Sequence, residues 1–322
     1  MKYRLVKYLL ALVTALGFVT SATAQDRPLA IGTLPQGSLG YAIAAGVAQV
    51  ASANGEMTLR AVGQGGSSVF IPALNRGDFD FATSNAFEAV FATQGSGNFD
   101  GQANPNIRVA ALLQPFEVGI MVAADSDIRS LEDLKGRPFP VGYARQRLVG
   151  VMQQAVFDAA GIDVGELDGV PVPNFVEGAK LLAQGSVAGV MLAPGSGVVR
   201  QTHAQRPVRF ITVISGEAAA AQVAEALPGS YVGRVEPVER LPEIAEPVDL
   251  IGYQYALLTH ADADPDTVYA VVKALAENKA ALIESHGSFR RFDPAKMAVQ
   301  VEGSTFHPGA IRFYREAGIW TE

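Results

Sequence analysis

The stretch that decides the fold is Ile31-Gly32-Thr33-Leu34-Pro35-Gln36-Gly37-Ser38-Leu39-Gly40-Tyr41. A short apolar run breaks into a glycine-rich turn, and an Ala/Val-rich segment over residues 42–53 follows. The order reads as strand, loop and helix N-terminus. Free backbone amides and the positive end of a helix dipole meet at such a loop, which suits a carboxylate or a phosphate. The same spacing also serves as a plain packing turn between helix and sheet, so the loop alone leaves both readings open.

The chain that follows repeats the device. Residues 57–62 read as a strand, and Gly63-Gln64-Gly65-Gly66-Ser67-Ser68 is a glycine turn whose serines can cap the next helix. That helix carries Ile71, Ala73 and Leu74 and stops at Asn75-Arg76-Gly77, with glycine in the usual terminal place. Residues 78–82 alternate polar and apolar side chains as a strand does, end in Thr83-Ser84-Asn85, and lead into a helix near Ala86. In a parallel sheet these three strand-to-helix turns gather at the carboxyl ends of the strands, where ligands bind.

The apolar runs 107–113 and 118–123 are joined by Gln114-Pro115-Phe116-Glu117. Ser130 to Gly136 reads as a one-turn helix with a serine cap. A strand over 138–141, a loop Gly142-Tyr143-Ala144-Arg145-Gln146-Arg147 and a helix over 148–160 then resume the early pattern. A helix over 175–184, a strand over 187–192 and the loop Ala193-Pro194-Gly195-Ser196-Gly197 continue it. The repeated order predicts two α/β lobes of like construction. Beyond them come a strand over 210–214, a helix and irregular exposed connection over 216–247, and an apolar run over 251–258. Asp264 caps a helix that runs from Pro265 through Leu282, and a last helix spans 308–314. The expected division is a first lobe of residues 25–117 and 248–322 and a second of 118–247. Two crossings near residues 118 and 247 would leave a ligand cleft between the lobes.

Residues 1–24 carry the marks of a secretory signal peptide: Lys2, Arg4 and Lys7, then an apolar core, then Ala22-Thr23-Ala24 as the cleavage site. The expected product is a soluble periplasmic protein cleaved after Ala24. It holds 22 basic against 32 acidic residues, a net charge of −10, which argues against a nucleic-acid partner. The chain has no cysteine, so disulfides and thiolate metal sites are excluded. No nucleophile motif is present; Ser196 lies in Pro-Gly-Ser-Gly, and His203, His260, His286 and His307 are scattered without ligand spacing. The Asp262-Ala263-Asp264-Pro265-Asp266 run lacks the glycine and distal glutamate of a calcium loop and reads as a helix cap. No catalytic residue, metal or cofactor is expected.

Arg145 and Arg147 are the informative charges. In a strand-to-helix loop, a guanidinium can clamp a carboxylate beside the helix N-terminus, or it can face solvent and pair with surface acids. Ser38, Tyr41, Ser67 and Asn85 supply a polar, neutral half-site opposite. The expected ligand set is Thr33, Gly37, Ser38, Tyr41, Ser67, Ser68 and Asn85 from one lobe and Arg145, Gln146, Arg147 and Ser196 from the other.

Taken together, Ile31-Gly32-Thr33 with its glycine loop, Gly65-Gly66-Ser67 leading to Leu74-Asn75-Arg76-Gly77-Asp78-Phe79-Asp80-Phe81-Ala82, and Leu131-Glu132-Asp133-Leu134-Lys135-Gly136 resemble a known family. Val268-Tyr269, Lys273-Ala274-Leu275 and His307-Pro308-Gly309-Ala310-Ile311-Arg312-Phe313-Tyr314 extend the likeness. It is to the TAXI-type solute-binding proteins of tripartite ATP-independent periplasmic (TRAP) transporters. The resemblance implies a type II periplasmic-binding-protein fold and two α/β lobes closing on a ligand; the receptor is expected to be monomeric. It further implies a small carboxylate such as glutamate or 2-oxoglutarate as ligand, delivered to a TRAP-type membrane permease. This chain departs from the family loop at Leu34 and Ser38, where the family has glycines, and at Tyr41, one place late. Thr83-Ser84-Asn85 stands where the family often has an acid, and Arg145-Gln146-Arg147 replaces a Ser-Gly-Thr loop. The lost acid and gained arginines point to a more anionic ligand than the family's usual one. The alternatives are a receptor of an ABC importer or a periplasmic sensor, and behind them an enzyme on the same fold.

Overall fold

The computed structural model describes residues 28–321 apart from Glu56. The signal peptide read over residues 1–24 lies outside the described residues. The first lobe opens with β1 (Leu29–Thr33), α1 (Leu39–Asn54), β2 (Leu59–Gly63), α2 (Ser67–Asn75), β3 (Phe81–Asn85) and α3 (Ala86–Gln94). A long strand β4 (Ile107–Ala123) leads to the second lobe, which holds β5 (Pro138–Gly142), α4 (Arg147–Ala159), β6 (Asp168–Val172), α5 (Phe175–Ala183), β7 (Gly189–Leu192), α6 (Gly197–Gln205), β8 (Val208–Ile211), α7 (Gly216–Ala226) and β9 (Tyr231–Val235). A second long strand β10 (Val248–His260) returns, followed by α8 (Pro265–Glu277), α9 (Lys279–Ser285) and α10 (Pro308–Glu316).

The main sheet runs β2-β1-β3-β10-β4-β7, with β8 also on β4 and β9 on β10, while β5 and β6 form a separate parallel pair. β1 is parallel to β2 and β3, and β10 is antiparallel to β3 and β4. β4 and β10 are the spine. The first half of β4 pairs with the end of β10, Ala111 facing Leu257, and its second half pairs with β7 and β8, Ile120 facing Met191 and Ile211. The molecule is thus two α/β lobes on a mixed, curled sheet, a type II periplasmic-binding-protein fold. Where strand periodicity and glycine stops sit close together in sequence, the expected elements form. Gly77 (φ 78°) ends α2, and Gly161 (φ 71°) follows α4, each in the left-handed conformation that glycine adopts without a Cβ penalty. Ile31, Phe70 and Phe81 are sealed between sheet and helix, each contributing about 1.5–3 kcal/mol by burial.

Besides shifts of a few residues at element ends, such as β8 at Val208–Ile211 against the expected 210–214, four readings differ from the structure. The strand read over 78–82 begins at Phe81 and continues through Thr83-Ser84-Asn85. Asp78 is held back by an ion pair to Arg76 and Asp80 by accepting the Ala30 amide, so the alternation there belongs to a turn. The runs 107–113 and 118–123 are one strand. Pro115 stays in register with Gln254, and the ladder skips Leu113, a bulge that bends the strand next to the proline. The irregular connection after residue 216 contains β9, formed because the entry of β10 offers it a free edge from Val248 to Gly252. The helix from Pro265 stops at Glu277, and Asn278 separates it from α9; the Asp264 carboxylate accepts the amides of Asp266 and Thr267, a cap worth about 1 kcal/mol.

Candidate functional site

β1, β2 and β3 on one side and β5, β6 and β7 on the other all deliver the chain into loops at their carboxyl ends. Those loops face each other across the lobe boundary. They enclose a cavity of about 50 Å³, room for a few water-sized groups. Six helices contribute residues of their first turn or cap to its wall: α1 through Ser38 and Leu39, α2 through Ser67, α3 through Asn85 and Glu88, α4 through Gln146 and Leu148, α5 through Phe175 and α6 through Ser196. Each lobe supplies three. A helix N-terminus presents unpaired amides and roughly half a positive charge, so six of them raise the potential of the enclosed space. Among the described residues no Lys, Arg or His lines it.

The caps divide the six. Ser38 accepts the Tyr41 amide at 3.0 Å, Ser196 the Val199 amide at 3.2 Å, and Asn174 the Val176 and Glu177 amides, so α1, α6 and α5 satisfy part of their own first turns. α2, α3 and α4 have no side-chain cap. The Arg147 amide opening α4 donates across the boundary to Ser68 Oγ at 3.2 Å. The hydroxyl of Ser67 is buried beside Glu88 without a hydrogen bond of good geometry. A buried hydroxyl without a well-formed hydrogen bond costs about 1–3 kcal/mol, and a ligand in the cavity is the nearest remedy.

One backbone hydrogen bond and one close backbone approach join the lobes at the cavity rim. The Val198 amide donates to the Gly37 carbonyl at 3.0 Å, and Gly37 reaches that position with φ 85°. On the opposite rim Gly66 lies under Arg145, where a Cβ would stand 2.1 Å from the Arg145 carbonyl oxygen. Only glycine permits that approach. The floor is aromatic and comes from the spine strands: Phe116 stacks on Tyr255 with centroids 4.7 Å apart and on Tyr253 at 5.4 Å, while Phe87 meets Tyr253 edge-on. The Tyr255 hydroxyl donates to the Thr83 carbonyl at 3.3 Å, and burial raises its pKa so that it stays a neutral phenol.

Glu88, in the first turn of α3, is the one acid in the wall. The Ser84 hydroxyl donates to Oε2, and the Asn98 amide donates to Oε1 at 2.6 Å. Burial pushes its pKa up, while the surrounding serine hydroxyls and the Asn98 amide pull it down less strongly. The neutral acid is favoured by desolvation, which lets an anion approach without repulsion.

Of the residues expected from sequence, Ser38, Ser67, Asn85, Gln146 and Ser196 stand together in the cavity wall. Thr33 lies beneath it, its hydroxyl 2.8 Å from that of Thr83 and donating to the Gly40 carbonyl. Gly37 and Ser68 serve the rim contacts. Tyr41 is turned toward Gln36 at 3.4 Å. Arg145 is exposed above Gly65 and Gly66, and Arg147 lines a separate open depression with Gln154 and Asp158, so neither guanidinium is in the wall. Sequence reasoning missed Ser84, Glu88 and the aromatic floor. A single acid inside the apolar run Ala86-Phe87-Glu88-Ala89-Val90-Phe91 was the available signal for Glu88.

The chain belongs to the NMT1-like family, whose profile matches residues 31–318. Among solved structures it is similar to a periplasmic transporter protein at 14% identity, over 90% of this chain and 92% of that one, with a TM-score of 0.56. The zinc-bound ligand-binding component of an ABC-type import system from Staphylococcus aureus matches at 13% identity, over 91% and 92%, with a TM-score of 0.53. A protein of Bordetella bronchiseptica RB50 matches at 14% identity, over 90% and 98%, with a TM-score of 0.51. At these identities the likeness is one of fold. Among the described residues no helix is long and apolar enough to cross a membrane.

Proposed function

We propose that the protein is an extracytoplasmic solute receptor that closes its two lobes on a small organic anion and presents it to a membrane importer. The observation that carries this reading is the cavity itself: six helix N-termini from both lobes around one enclosed space with no basic side chain in its wall. The anionic end of the solute sits against the uncapped starts of α2 and α3, near Ser67 and Asn85. Its apolar body lies on Phe116, Tyr253 and Tyr255. Glu88, whose burial works against the charged form, stands beside the anion. Recognition is made by backbone and hydroxyl groups, and Arg145 and Arg147 stand outside it.

For the importer, an ABC-type partner is the reading with more behind it, through the fold shared with the Staphylococcus aureus component. A TRAP-type permease, as the TAXI resemblance implies, is the second reading. A thermal-shift screen of mono- and dicarboxylates, keto acids, amino acids and sulfonates tests the receptor function. A ligand at 100 times its Kd adds about 2.7 kcal/mol, a rise of several degrees in Tm. One or more acids are expected to produce it. A panel in which only cationic solutes do so overturns the anion assignment.

A further inference from the structure

The lobes meet at a second place. On the mouth of the boundary beside the spine strands lies an open groove of about 580 Å³, within the range of small-molecule sites. Five arginines line it in a protein of net negative charge. Arg291 is taken by Glu117 in a two-pronged ion pair at 2.6 Å, and Arg234 by Asp249 and Glu236. Arg200, Arg240 and Arg290 have no carboxylate partner among the described residues; Arg200 donates only to the Gly195 carbonyl. A lone surface arginine needs no explanation, but three unpaired ones around one concavity repel each other unless an anion joins them.

A second observation falls in the same place. Gln114, on β4, lines the groove, is 2% exposed, and its Oε1 is buried with no hydrogen-bond partner. As placed, the amide oxygen receives a hydroxyl or acid proton; turned over, the amide donates to an anion. Gln114 shares the groove wall with the arginines. Arg200 and Arg240 come from the second lobe and Gln114 and Arg290 from the first, so a guest here touches both.

We infer that this groove is a binding site for a small multiply charged anion, a polycarboxylate or polyphosphate, held between Arg200, Arg240 and Arg290. The groove adjoins the cavity, sharing Leu39 and Phe116 with its wall, but its arginines and Gln114 belong to the groove alone. A monoanion engages one guanidinium and gains little at an exposed position, whereas two or more charges reach across the boundary. The concavity and the forked donors fit a small molecule better than an acidic segment of a partner protein.

Calorimetric titration at fixed ionic strength, with citrate and with pyrophosphate as probes, tests this. Saturable one-to-one binding is expected, with acetate and chloride giving none. Arg240→Ala/Arg290→Ala is expected to weaken it at least about tenfold without lowering the Tm of the free protein, since both side chains are exposed and unpaired. Ser67→Ala, a cavity substitution, is expected to leave it unchanged. The inference is overturned by the absence of saturable heat with both probes or by undiminished binding in the arginine double variant. Loss of binding in Ser67→Ala, which would put the anion in the cavity, overturns it as well. So does saturable binding of hexaglutamate peptide in place of both probes.

Discussion

The cavity and the arginine groove lie on the same lobe boundary, and the anion proposed for each would be drawn there by different means. In the cavity the positive potential comes from where helices begin; in the groove it comes from guanidinium groups. A helix terminus is fixed by the fold and costs no side-chain ordering, whereas an exposed arginine is screened by salt and must be immobilised to act. On the proposed function, side-chain charge is a poor guide to the binding centre of this protein. The strongest recognition is expected where the sequence shows serines, glycines and a single buried acid.

The comparison is broken most severely by preventing closure. Gly66→Ala puts a methyl group 2.1 Å from the Arg145 carbonyl, so the lobes cannot meet as they do here. Affinity for the cavity solute is expected to fall about a hundredfold with the fold intact, as read by calorimetry and circular dichroism. An unchanged affinity means that closure on that rim does not matter.

Next in size is the pH dependence carried by Glu88. Its folded pKa lies above the ordinary 4.5, so its contribution to stability is complete below that value and is lost as pH rises toward the folded pKa. Acid binding follows the same sign, weakening by up to about tenfold per pH unit as the carboxyl ionises. Glu88→Gln is expected to flatten both profiles. A parallel profile in the variant would remove Glu88 from the account.

Ser67→Ala sharpens the comparison on a smaller scale. Loss of one hydrogen bond to the ligand, about 1 kcal/mol, lowers affinity about five- to tenfold, while Tm of the free protein holds or rises, since a buried hydroxyl without a well-formed hydrogen bond is removed. Smallest of all, Arg145→Ala and Arg147→Ala are each expected to change cavity affinity by less than about threefold, since neither guanidinium is in the wall. A tenfold loss in either would return recognition to side-chain charge.

How much of this was legible depends on distance along the chain. The strand-loop-helix units, the glycine stops and the serine caps at Ser38 and Ser196 are local, and their residues announce them. Two lobes followed from the repeated order of those units. The spine strand β4 was hidden because Pro115 reads as a break, and only pairing with Gln254, 139 residues on, shows that it is none. β9 was hidden for the same reason: an exposed edge strand exists by virtue of its neighbour. Arg145 and Arg147 were drawn into the expected site by their loop, yet a loop's position does not fix where its side chains turn. Glu88 looked like one acid in a helix until Ser84 and Asn98 were brought to it.

The central claim is that the cavity takes an anion without a basic side chain in its wall. Calorimetry of the best acid from the screen against its uncharged amide analogue tests it most directly. The acid is expected to bind at least tenfold more tightly than the amide. An amide that binds as well as the acid, or better, contradicts it.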